Sequence, residues 1–432
     1  MSFIYCRISN GSINSLPDPE AITINEQVID EFIEKEIQEG FPGAALMIIR
    51  NGKILKQTAY GYKLKYDENG SIIEHPQLLT LDTMFDLASL TKMYATNYAL
   101  MQLIKQGKLS VDDPIKKHIP HYNGCNPENE CRETRLIKDL LRHTAGYAPS
   151  VSFYDPGKVS PDFYSLNKHK TKHIIETKLE YERPRGDDQL PVYSDIDYML
   201  LGLLVEHVSG LPIEQYVRVN IYQPLNITHT MFNPLNNAHN QTSDFAATEL
   251  NGNTRNGTIN FPNIRTHVIQ GQVHDEKSFY SMNGLSGHAG LFSNLHDMGI
   301  LCQIMLNNGV YENIHFWDKN VEDLFLIPYT IDPSYGLGWR LNYNKSLSWF
   351  GLHASKKAYG HTGWTGTCTV IDPTYSLAII LLTNKRHTPF VNGAFEGEKY
   401  ETGKYGKIMT LVYESMFLNS DSSEKLCATD IN

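Results

Sequence analysis

The sequence predicts an α+β fold, an α/β sandwich in which one antiparallel sheet is built from the N- and C-terminal thirds of the chain. Strand patterns occur near both ends, whereas the middle of the chain has mainly helical patterns. Strands bury their apolar faces by joining a sheet, so we expect the two ends to meet in a single sheet. The helical region is then an insertion between the two halves of that sheet, and helices flank the sheet.

The N-terminal third contains a helix followed by a β-hairpin. In "NEQVIDEFIEKEIQEG" apolar residues recur at helical spacing, and Gly40 ends the pattern. In "AALMIIRNGKILKQTAYGY" the pattern alternates around Asn51-Gly52, a dipeptide typical of tight hairpin turns. These two stretches predict the first helix and the first two strands.

The remaining elements follow from the same patterns. Helical spacing predicts helices at about 89–107, 196–209, 213–222 and 295–308. The last third predicts strands in "SYGLGWRLN", "GTCTVID" and "SLAIILLTN", with a turn at "PTY" between the last two and a helix near 404–417. These strands would complete the sheet that the N-terminal hairpin begins.

The predicted organisation is one domain with short additions at both ends. We expect an extension at 1–24, a single domain at 25–418 and a flexible tail at 419–432. Within the domain, the expected parts are α/β at about 25–85 and 255–418, helical at about 86–254, and a polar, loop-rich insertion or flap at about 150–190.

Composition excludes several classes of protein. Of the 432 residues, 41% are hydrophobic, enough for a substantial core. The 38 basic residues against 48 acidic ones give a net charge of −10, and no basic block is long enough to follow a phosphate backbone, so nucleic acid is not an expected partner. No apolar run reaches the roughly 18 residues of a membrane span. The first residues do not have the pattern of a signal peptide, so the compartment stays open.

The six cysteines suggest no metal site. Cys125 and Cys131 in "CNPENEC" are close enough in sequence to close a small disulfide loop, and the other four are scattered. The spacing leaves open whether the pair is bridged or free.

A serine and a lysine three residues apart stand at the start of one predicted helix. In "FDLASLTKMYATNYALMQL", Ser89 and Lys92 would share a helix face, so the amine could accept or direct the hydroxyl proton. The same spacing recurs at Ser165 with Lys168 and at Ser422 with Lys425, and a serine at a helix start is often only a cap. The long amphipathic helix that follows favours Ser89 as the nucleophile.

Two later segments supply partners for such a nucleophile. Tyr193 lies in "VYSDIDYMLLGLLVE", 104 residues after Ser89, directly before a predicted helix. His361 lies in "AYGHTGWTGTCTVID", on a probable strand. Tyrosines are abundant here and His-Thr pairs recur elsewhere, so the ordered set of three segments indicates chemistry where each alone does not.

Together these segments resemble a known family. "SLTK", "YSD" and "HTG" are similar to the Ser-x-x-Lys, Tyr-x-Asn and Lys/His-Thr-Gly signatures of class C β-lactamases and the related DD-peptidases and penicillin-binding proteins. "IKDLLRHTAGYAP" and "VHDEKSFYSMNGLSGHAGLFSN" extend the resemblance, which spans roughly residues 25–415. The implied fold is β-lactamase/transpeptidase-like.

The resemblance implies a role for each residue of the acylation machinery. Ser89 would be acylated, and Lys92 and Tyr193 would share the general base and acid roles. The backbone N–H groups of Ser89 and Trp364 would form the oxyanion hole. The family mechanism needs no metal and no cofactor.

Other residues would bind the substrate. By resemblance, His361 and Thr362 would face its terminal carboxylate, and Gly363 would let its backbone approach closely. Asp195 stands where the family has asparagine, which removes a donor and adds a negative charge. His361 replaces the lysine of the lactamases, and a neutral imidazole binds a carboxylate less strongly than an ammonium group does.

The implied function is that of a serine hydrolase working through an acyl-enzyme. We expect a D-Ala-D-Ala carboxypeptidase or penicillin-binding protein acting on a small-molecule or peptide substrate of peptidoglycan type, located in the periplasm or outside the cell. A β-lactamase or an esterase of the same family is the alternative, because acyl-enzyme chemistry is common to all of them. A catalytically silent module that binds cell-wall peptides is the alternative of another class.

Several histidine-containing segments have less specific explanations. His274, Asp275 and Glu276 match no zinc spacing and are interpreted as a surface or loop-anchoring cluster. His288 is interpreted as a structural histidine that could border the cleft. The run "HKTKH" at residues 169–173 is interpreted as a solvated charge run in the insertion.

Overall fold

The structure is a computed structural model that describes residues 24–125 and 131–417. The predicted extension up to residue 23, the predicted tail at 419–432 and the copy of the Ser-x-x-Lys spacing at Ser422 lie outside these residues.

Short and long strands alternate with helices along the chain. The strands are β1 (Gly43–Arg50), β2 (Lys53–Tyr66), β3 (Ile72–Leu78), β4 (Phe85–Asp86), β5 (Met231–Phe232), β6 (Ala247–Glu249), β7 (Ile269–Gln270), β8 (Leu291–Ser293), β9 (Val310–Tyr311), β10 (Ile314–His315), β11 (Arg340–Leu341), β12 (Tyr359–Gly363), β13 (Thr367–Asp372), β14 (Leu377–Thr383), β15 (Phe390–Val391) and β16 (Ala394–Phe395). The α-helices are α1 (Glu26–Glu39), α2 (Tyr98–Lys105), α3 (Ile115–His118), α4 (Ile137–Leu141), α5 (Lys168–Thr177), α6 (Asp195–Ser209), α7 (Ile213–Val217), α8 (Leu295–Leu306), α9 (Lys319–Phe325), α10 (Glu401–Lys404) and α11 (Gly406–Phe417).

Three segments have π-helical hydrogen bonding and several are single 3-10 turns. The π-helical segments are Lys92–Asn97, Arg218–Tyr222 and Lys277–Ser281. The 3-10 turns are Arg132–Thr134, Pro234–Asn236, Thr242–Asp244, Ser348–Phe350, Pro373–Tyr375 and Glu396–Lys399. Two of the π-helical segments, at residues 92 and 277, begin with lysines of the candidate site, in keeping with the tendency of such segments to occur at functional sites.

The central sheet joins the two ends of the chain, as predicted. Its seven strands lie in the order β11-β12-β13-β14-β1-β2-β3, and every neighbouring pair is antiparallel. The predicted hairpin between β1 and β2 turns at Asn51 and Gly52, both with positive φ. The α+β prediction with one antiparallel sheet from both thirds is therefore confirmed.

The two faces of the sheet bury separate cores. Along β1, alternate side chains enter the core on the helical side (Ala45, Met47, Ile49) and the core on the opposite side (Ala44, Leu46, Ile48). The first core includes residues of α2, α6 and α8, and the second is covered by α1 and α11. Both faces are apolar because helices cover both, which explains why β1 and β14 are almost continuous hydrophobic runs.

Two elements differ from their predicted form. The segment "SYGLGWRLN" forms a strand only at Arg340–Leu341, because Gly338 has a φ of +83° and interrupts the extended backbone. The polar insertion contains α5, whose N-terminus is capped by the Asn167 side chain accepting a hydrogen bond from the Lys170 N–H at 3.0 Å. The whole "HKTKH" run at residues 169–173 is therefore helical.

The cysteine pair left open by the sequence is bridged. Cys125 and Cys131 form a disulfide, and Cys302 and Cys368 are free and buried. In the described parts of the chain, no single helix has the length and apolar composition to cross a membrane. The bent pair Asp195–Ser209 and Ile213–Tyr222 meets that criterion by length and composition only.

Candidate active site

A tight turn after β4 presents Ser89 at the start of a helix. The Asp86 carboxylate accepts a hydrogen bond from the Ala88 N–H at 2.8 Å, and Ala88 has a φ of +46°. A residue with a side chain rarely adopts this conformation, and such residues cluster at functional sites. The second oxygen of Asp86 accepts from the His274 N–H at 2.6 Å, so a distant loop fixes the same turn.

Lys92 is fully buried beneath Ser89. Its Nζ lies 2.9 Å from Ser89 Oγ, 2.9 Å from Asp195 Oδ1 and 3.1 Å from the carbonyl oxygen of His288. An ammonium group has three protons, and here it has three acceptors. Burial alone would lower the pKa of Lys92, but the negative charge of Asp195 and a contribution from Tyr193 raise it above the ordinary value. Lys92 is therefore a cation that donates to Ser89 in this structure.

Asp195 connects Lys92 to a network in which positively and negatively charged groups alternate. Its Oδ2 is 3.2 Å from Lys277 Nζ, which is 2.9 Å from Asp275 Oδ2. The other oxygen of Asp275 lies 2.9 Å from His288 Nε2. Burial favours the protonated form of Asp195, yet the charges of Lys92 and Lys277 hold its pKa below the usual range. The same network raises the pKa of Lys277 well above its ordinary value, against the effect of burial.

The carboxylates of Asp195 and Asp275 also belong to a group of side chains with the spacing of metal ligands. Asp195, Asp275 and His288 place one ligand atom each within 4.8 Å of one another. Lys277 Nζ already contacts both carboxylates, so a lysine ammonium supplies the positive charge that a metal would bring.

Tyr193 lies next to Lys92 at the N-terminus of α6. The Lys92 Nζ is 5.0 Å from the centre of the Tyr193 ring. The ring of His143 packs against Tyr193 at an angle of 42°, with centroids 4.6 Å apart. His143 Nδ1 is 3.1 Å from the Ser194 N–H nitrogen, and burial lowers the pKa of His143 well below its ordinary value. A neutral imidazole thus supports the phenol ring from below.

His361 is buried on β12, with its ring 6.0 Å from that of Tyr193. Its Nδ1 lies 2.8 Å from the Thr362 carbonyl oxygen. Burial, together with the charge of Lys92, lowers the pKa of His361 to about 3. The imidazole is therefore uncharged at neutral pH.

Gly363 brings β12 against the segment before Ser89. A β-carbon on Gly363 would lie 2.1 Å from Thr367 Oγ1 and 2.4 Å from the Leu87 carbonyl oxygen, so only glycine fits. Thr367 Oγ1 donates to that same carbonyl at 3.1 Å, and Thr365 Oγ1 donates to the Asp86 carbonyl at 2.6 Å. These contacts join the edge of the sheet to the serine turn.

Trp364 follows Gly363 and stays 40% exposed. The guanidinium groups of Arg386 and Arg255 lie 3.9 and 4.8 Å from its ring centre, and the His274 ring is 4.6 Å away. Within the described residues, the N–H groups of Ser89 and Trp364 donate no hydrogen bond. Both donors are available for a substrate oxygen.

These residues surround a cavity of about 280 Å³. Ser89, Tyr193, Asp195 and Trp364 are in its wall, and Lys92 is beneath it. Of the described residues predicted to bind substrate, His361, Thr362 and Gly363 lie beside the cavity on β12 and outside this wall. The roles assigned to all eight residues stay predictions.

Sequence reasoning missed several residues of the cavity wall. Asp275 and Lys277 line the cavity, although Asp275 was assigned to a surface or loop-anchoring cluster. His288 also lines it, as the sequence allowed. Arg255 and Glu276 also line it and form an ion pair at 2.8 Å. The signal available in the sequence was the aspartate at position 195, where the family signature has asparagine. A carboxylate in a mostly buried site needs positive charge around it, so a second cation near Asp195 could have been expected.

Comparison with known proteins gives consistent results. The chain matches the family described as "Beta-lactamase" over residues 25–398. It is 48% identical over 396 residues to a protein of Bacillus subtilis (strain 168) named "N-acetylmuramyl-L-alanine amidase", with 90% of this chain and 88% of that protein covered. It is 44% identical over 397 residues to a protein of Escherichia coli (strain K12) named "Putative D-alanyl-D-alanine carboxypeptidase", with 90% of each covered.

Solved structures show the same fold. The "Beta-Lactamase/D-Alanine Carboxypeptidase from Pseudomonas syringae" superimposes with a TM-score of 0.62 at 16% identity, covering 92% of this chain and 99% of that one. The family resemblance predicted from the three short segments is thus confirmed by matches that extend along most of the chain. The chain belongs to the β-lactamase family.

Proposed function

We propose that the protein is a serine hydrolase that cleaves an amide of peptidoglycan through an acyl-enzyme on Ser89. The observation that carries the proposal is the 2.9 Å contact between Lys92 Nζ and Ser89 Oγ in the wall of a cavity that also contains Tyr193. Ser89 and Trp364 both lie in the wall of this cavity, and their N–H groups donate no hydrogen bond among the described residues. They therefore support an oxyanion hole in the same cavity.

The charge state of Lys92 suggests how the proton moves. Because Asp195 keeps Lys92 as an ammonium group, Lys92 orients and stabilises the attacking oxygen. The Ser89 proton then passes to the Tyr193 oxygen, a step that requires Tyr193 in its phenolate form and gives the neutral phenol. The Ser89 Oγ–carbon bond then forms, the carbon–nitrogen bond breaks, and Tyr193 returns the proton to the leaving amine. Water cleaves the resulting ester by the reverse proton route and regenerates Ser89.

Two amides fit what is known of the relatives. The first is the D-Ala-D-Ala bond named in several of them, and the second is the N-acetylmuramyl-L-alanine bond named in the Bacillus relative. In both amides the leaving nitrogen belongs to alanine, and the acyl group carries a methyl group next to its carbonyl carbon. One acylation site could therefore be adapted to either.

The charges around the cavity favour the second amide. A carboxypeptidase must bind a free carboxylate beside the scissile bond, yet both cations in the cavity wall already have carboxylate partners. Arg255 is paired with Glu276 at 2.8 Å and Lys277 with Asp275 at 2.9 Å. The alanine of a muramyl peptide has its carboxyl group in the next amide bond, so it needs no free cation there.

The acyl-enzyme is tested by mass spectrometry after incubation with benzylpenicillin. We expect an adduct of one penicillin on Ser89 and none on Ser89→Ala, which should also lose amide cleavage by more than about 1,000-fold, as for removal of other serine nucleophiles. Ser165→Ala removes the serine of the second Ser-x-x-Lys pair and is the matched control. Turnover that persists in Ser89→Ala would overturn the mechanism, and the absence of both adduct and turnover in the unmodified protein would support a silent binding module.

The substrate is tested by parallel rates on two peptides. We expect N-acetylmuramyl-L-alanyl-D-isoglutamine to be cleaved with a higher kcat/KM than diacetyl-L-lysyl-D-alanyl-D-alanine. The reverse order would establish the carboxypeptidase. Nitrocefin and p-nitrophenyl acetate, tested alongside, report on β-lactamase and esterase activity.

A location outside the cytoplasm is part of the proposal. The Cys125–Cys131 disulfide supports it, because such bonds persist in oxidising compartments, and so does a peptidoglycan substrate. Fractionation of the native cells with thiol labelling tests it, and a reduced protein found only in the cytosol would contradict it.

A further inference from the structure

His121, Glu176 and His207 form a cluster far in sequence from the catalytic residues. His121 follows α3, Glu176 lies on α5 in the insertion, and His207 lies on α6. Each imidazole points its Nε2 at a different oxygen of the same carboxylate, at 2.7 Å for His121 and 2.8 Å for His207. The three ligand atoms lie within 4.8 Å of one another.

The carboxylate at the centre is buried and has no permanent cation. Glu176 is only 6% exposed. Among the described residues, its ion pairs are with the two histidines alone, while the nearby Lys168 and Lys172 both pair with Glu206. No lysine or arginine of the described residues pairs with this buried carboxylate, so it offers a place for a bound cation.

We propose that His121, Glu176 and His207 bind a divalent transition-metal ion, Zn²⁺ in the first place. Two imidazole nitrogens and one carboxylate oxygen form a donor set that zinc accepts, and a fourth position remains for water or a further side chain. Imidazole donors favour zinc and its neighbours over Mg²⁺ or Ca²⁺, which prefer oxygen.

Further histidines border the same place. His173 lies one helical turn before Glu176, and His169 one turn before that. Both line a surface cavity of about 370 Å³ together with His121 and Glu176. His173 and His169 are therefore the candidates for the fourth ligand, and the sequence "HKTKH" gains a role beyond that of a solvated charge run.

The geometry indicates a structural role for the ion. It would join the insertion, through α5, to α6 and to the turn that contains His121. Because α6 begins at Asp195 and holds Tyr193 at its N-terminus, the ion would fix the helical region without contacting the reacting atoms. The inference does not depend on the proposed hydrolase activity.

The experiment begins with the full protein, treated with a chelator and desalted. On addition of Zn²⁺ we expect about one ion per chain to be retained, consistent with one three-ligand site, and the melting temperature to rise because the ion binds only the folded state. Co²⁺ should give the visible absorption of a tetrahedral nitrogen and oxygen site, and Zn²⁺ should displace it.

Variants locate the site. His121→Ala and Glu176→Gln should weaken Zn²⁺ binding by at least the roughly 10–100-fold that loss of even an outer-sphere partner causes. His353→Ala is the matched control. His353 also lies beside a carboxylate, that of Glu414 at 3.4 Å, but this exposed pair contains only one imidazole and so lacks a second nitrogen ligand. Asp275→Asn tests the carboxylates of the catalytic cavity and should retain binding.

Three results would overturn the proposal: no retained ion and no cobalt spectrum, binding unchanged in His121→Ala, or binding lost in Asp275→Asn alone. In the first case the cluster is only a set of hydrogen bonds between imidazoles and a carboxylate. Because His121 is about half exposed, its replacement should not unfold the protein. Penicillin acylation of Ser89, measured on the same samples, reports separately on the proposed hydrolase.

Discussion

Lys92 and Asp195 form a partly buried ion pair, with Nζ 2.9 Å from Oδ1, although they lie 103 positions apart in sequence. Asp195 stands where the Tyr-x-Asn signature has asparagine, so the negative charge of this pair departs from that signature. This charge decides the protonation state of Lys92, the lysine next to the nucleophile.

Asp195→Asn should shift the pH profile of the enzyme. Without the negative charge, burial dominates and the pKa of Lys92 falls. Because the proposed mechanism uses Lys92 as an ammonium group, activity should be lost at a lower pH on the alkaline side. The measurement is kcat/KM from pH 5 to pH 10.

The control for this profile is Asp323→Asn, which removes an exposed ion pair with Lys319. It should leave the acid limb and the alkaline limb of the pH profile unchanged. If Asp195→Asn instead moves the acid limb to lower pH, Lys92 acts as a neutral base and the assignment to Tyr193 is wrong.

Lys277→Met should destabilise the fold by up to about 3 kcal/mol, because it leaves two partly buried carboxylates without their common cation. Adding Asp275→Asn removes one of those charges and should restore part of the loss. Denaturant unfolding of the two single variants and the double variant forms a thermodynamic cycle. We expect a coupling of about 1 kcal/mol or more, and simple additivity would show that the two residues do not interact energetically.

Gly363→Ala should separate the sheet from the serine turn. The new β-carbon would overlap Thr367 Oγ1 and the Leu87 carbonyl oxygen, so β12 must move away. Overpacking of this kind costs about 1–3 kcal/mol of stability, and a displacement of about 1 Å at a catalytic site can cost roughly 100-fold in rate. Thermal unfolding and kcat measure the two effects. Gly157→Ala, where the nearest atom is a flexible side chain at 3.2 Å, should change neither.

His387 should make the protein sensitive to acid. Its Nε2 accepts hydrogen bonds from the N–H groups of Lys65 and Tyr66 at 2.9 and 3.1 Å, so it cannot carry a proton in the folded state. Burial and the charge of Lys65 lower its pKa to about 3, whereas in the unfolded chain it is about 6.5. Between these values the unfolded state binds the proton and the folded state does not, so stability falls as the pH decreases through this window.

The slope of the unfolding free energy measures this effect. His387 should contribute about 1.4 kcal/mol per pH unit between roughly pH 6 and pH 4, and His387→Gln should reduce the slope by that amount without affecting penicillin acylation. An unchanged slope would mean that His387 is not buried in its neutral form.

The fold was predictable from local patterns. The hairpin was visible in the sequence because two strand-like stretches flank Asn51-Gly52, a dipeptide typical of tight turns, and the structure confirms it. The short strand at Arg340–Leu341 was harder to predict, since Gly338 interrupts an otherwise extended pattern. Helix α5 was missed because a polar surface helix with a weak apolar stripe resembles a loop in composition.

The sequence by itself determined the family, the sheet formed from both ends and the order of Ser89, Lys92 and Tyr193, because these depend on short segments whose spacing is readable along the chain. Only the tertiary structure decided that Asp195 is shared between Lys92 and Lys277, that Asp275 and His288 extend this network, and that His361 is neutral. Electrostatics depends on distance and burial in space, and residues nearly 200 positions apart along the chain have no visible relation until the fold brings them within 3 Å.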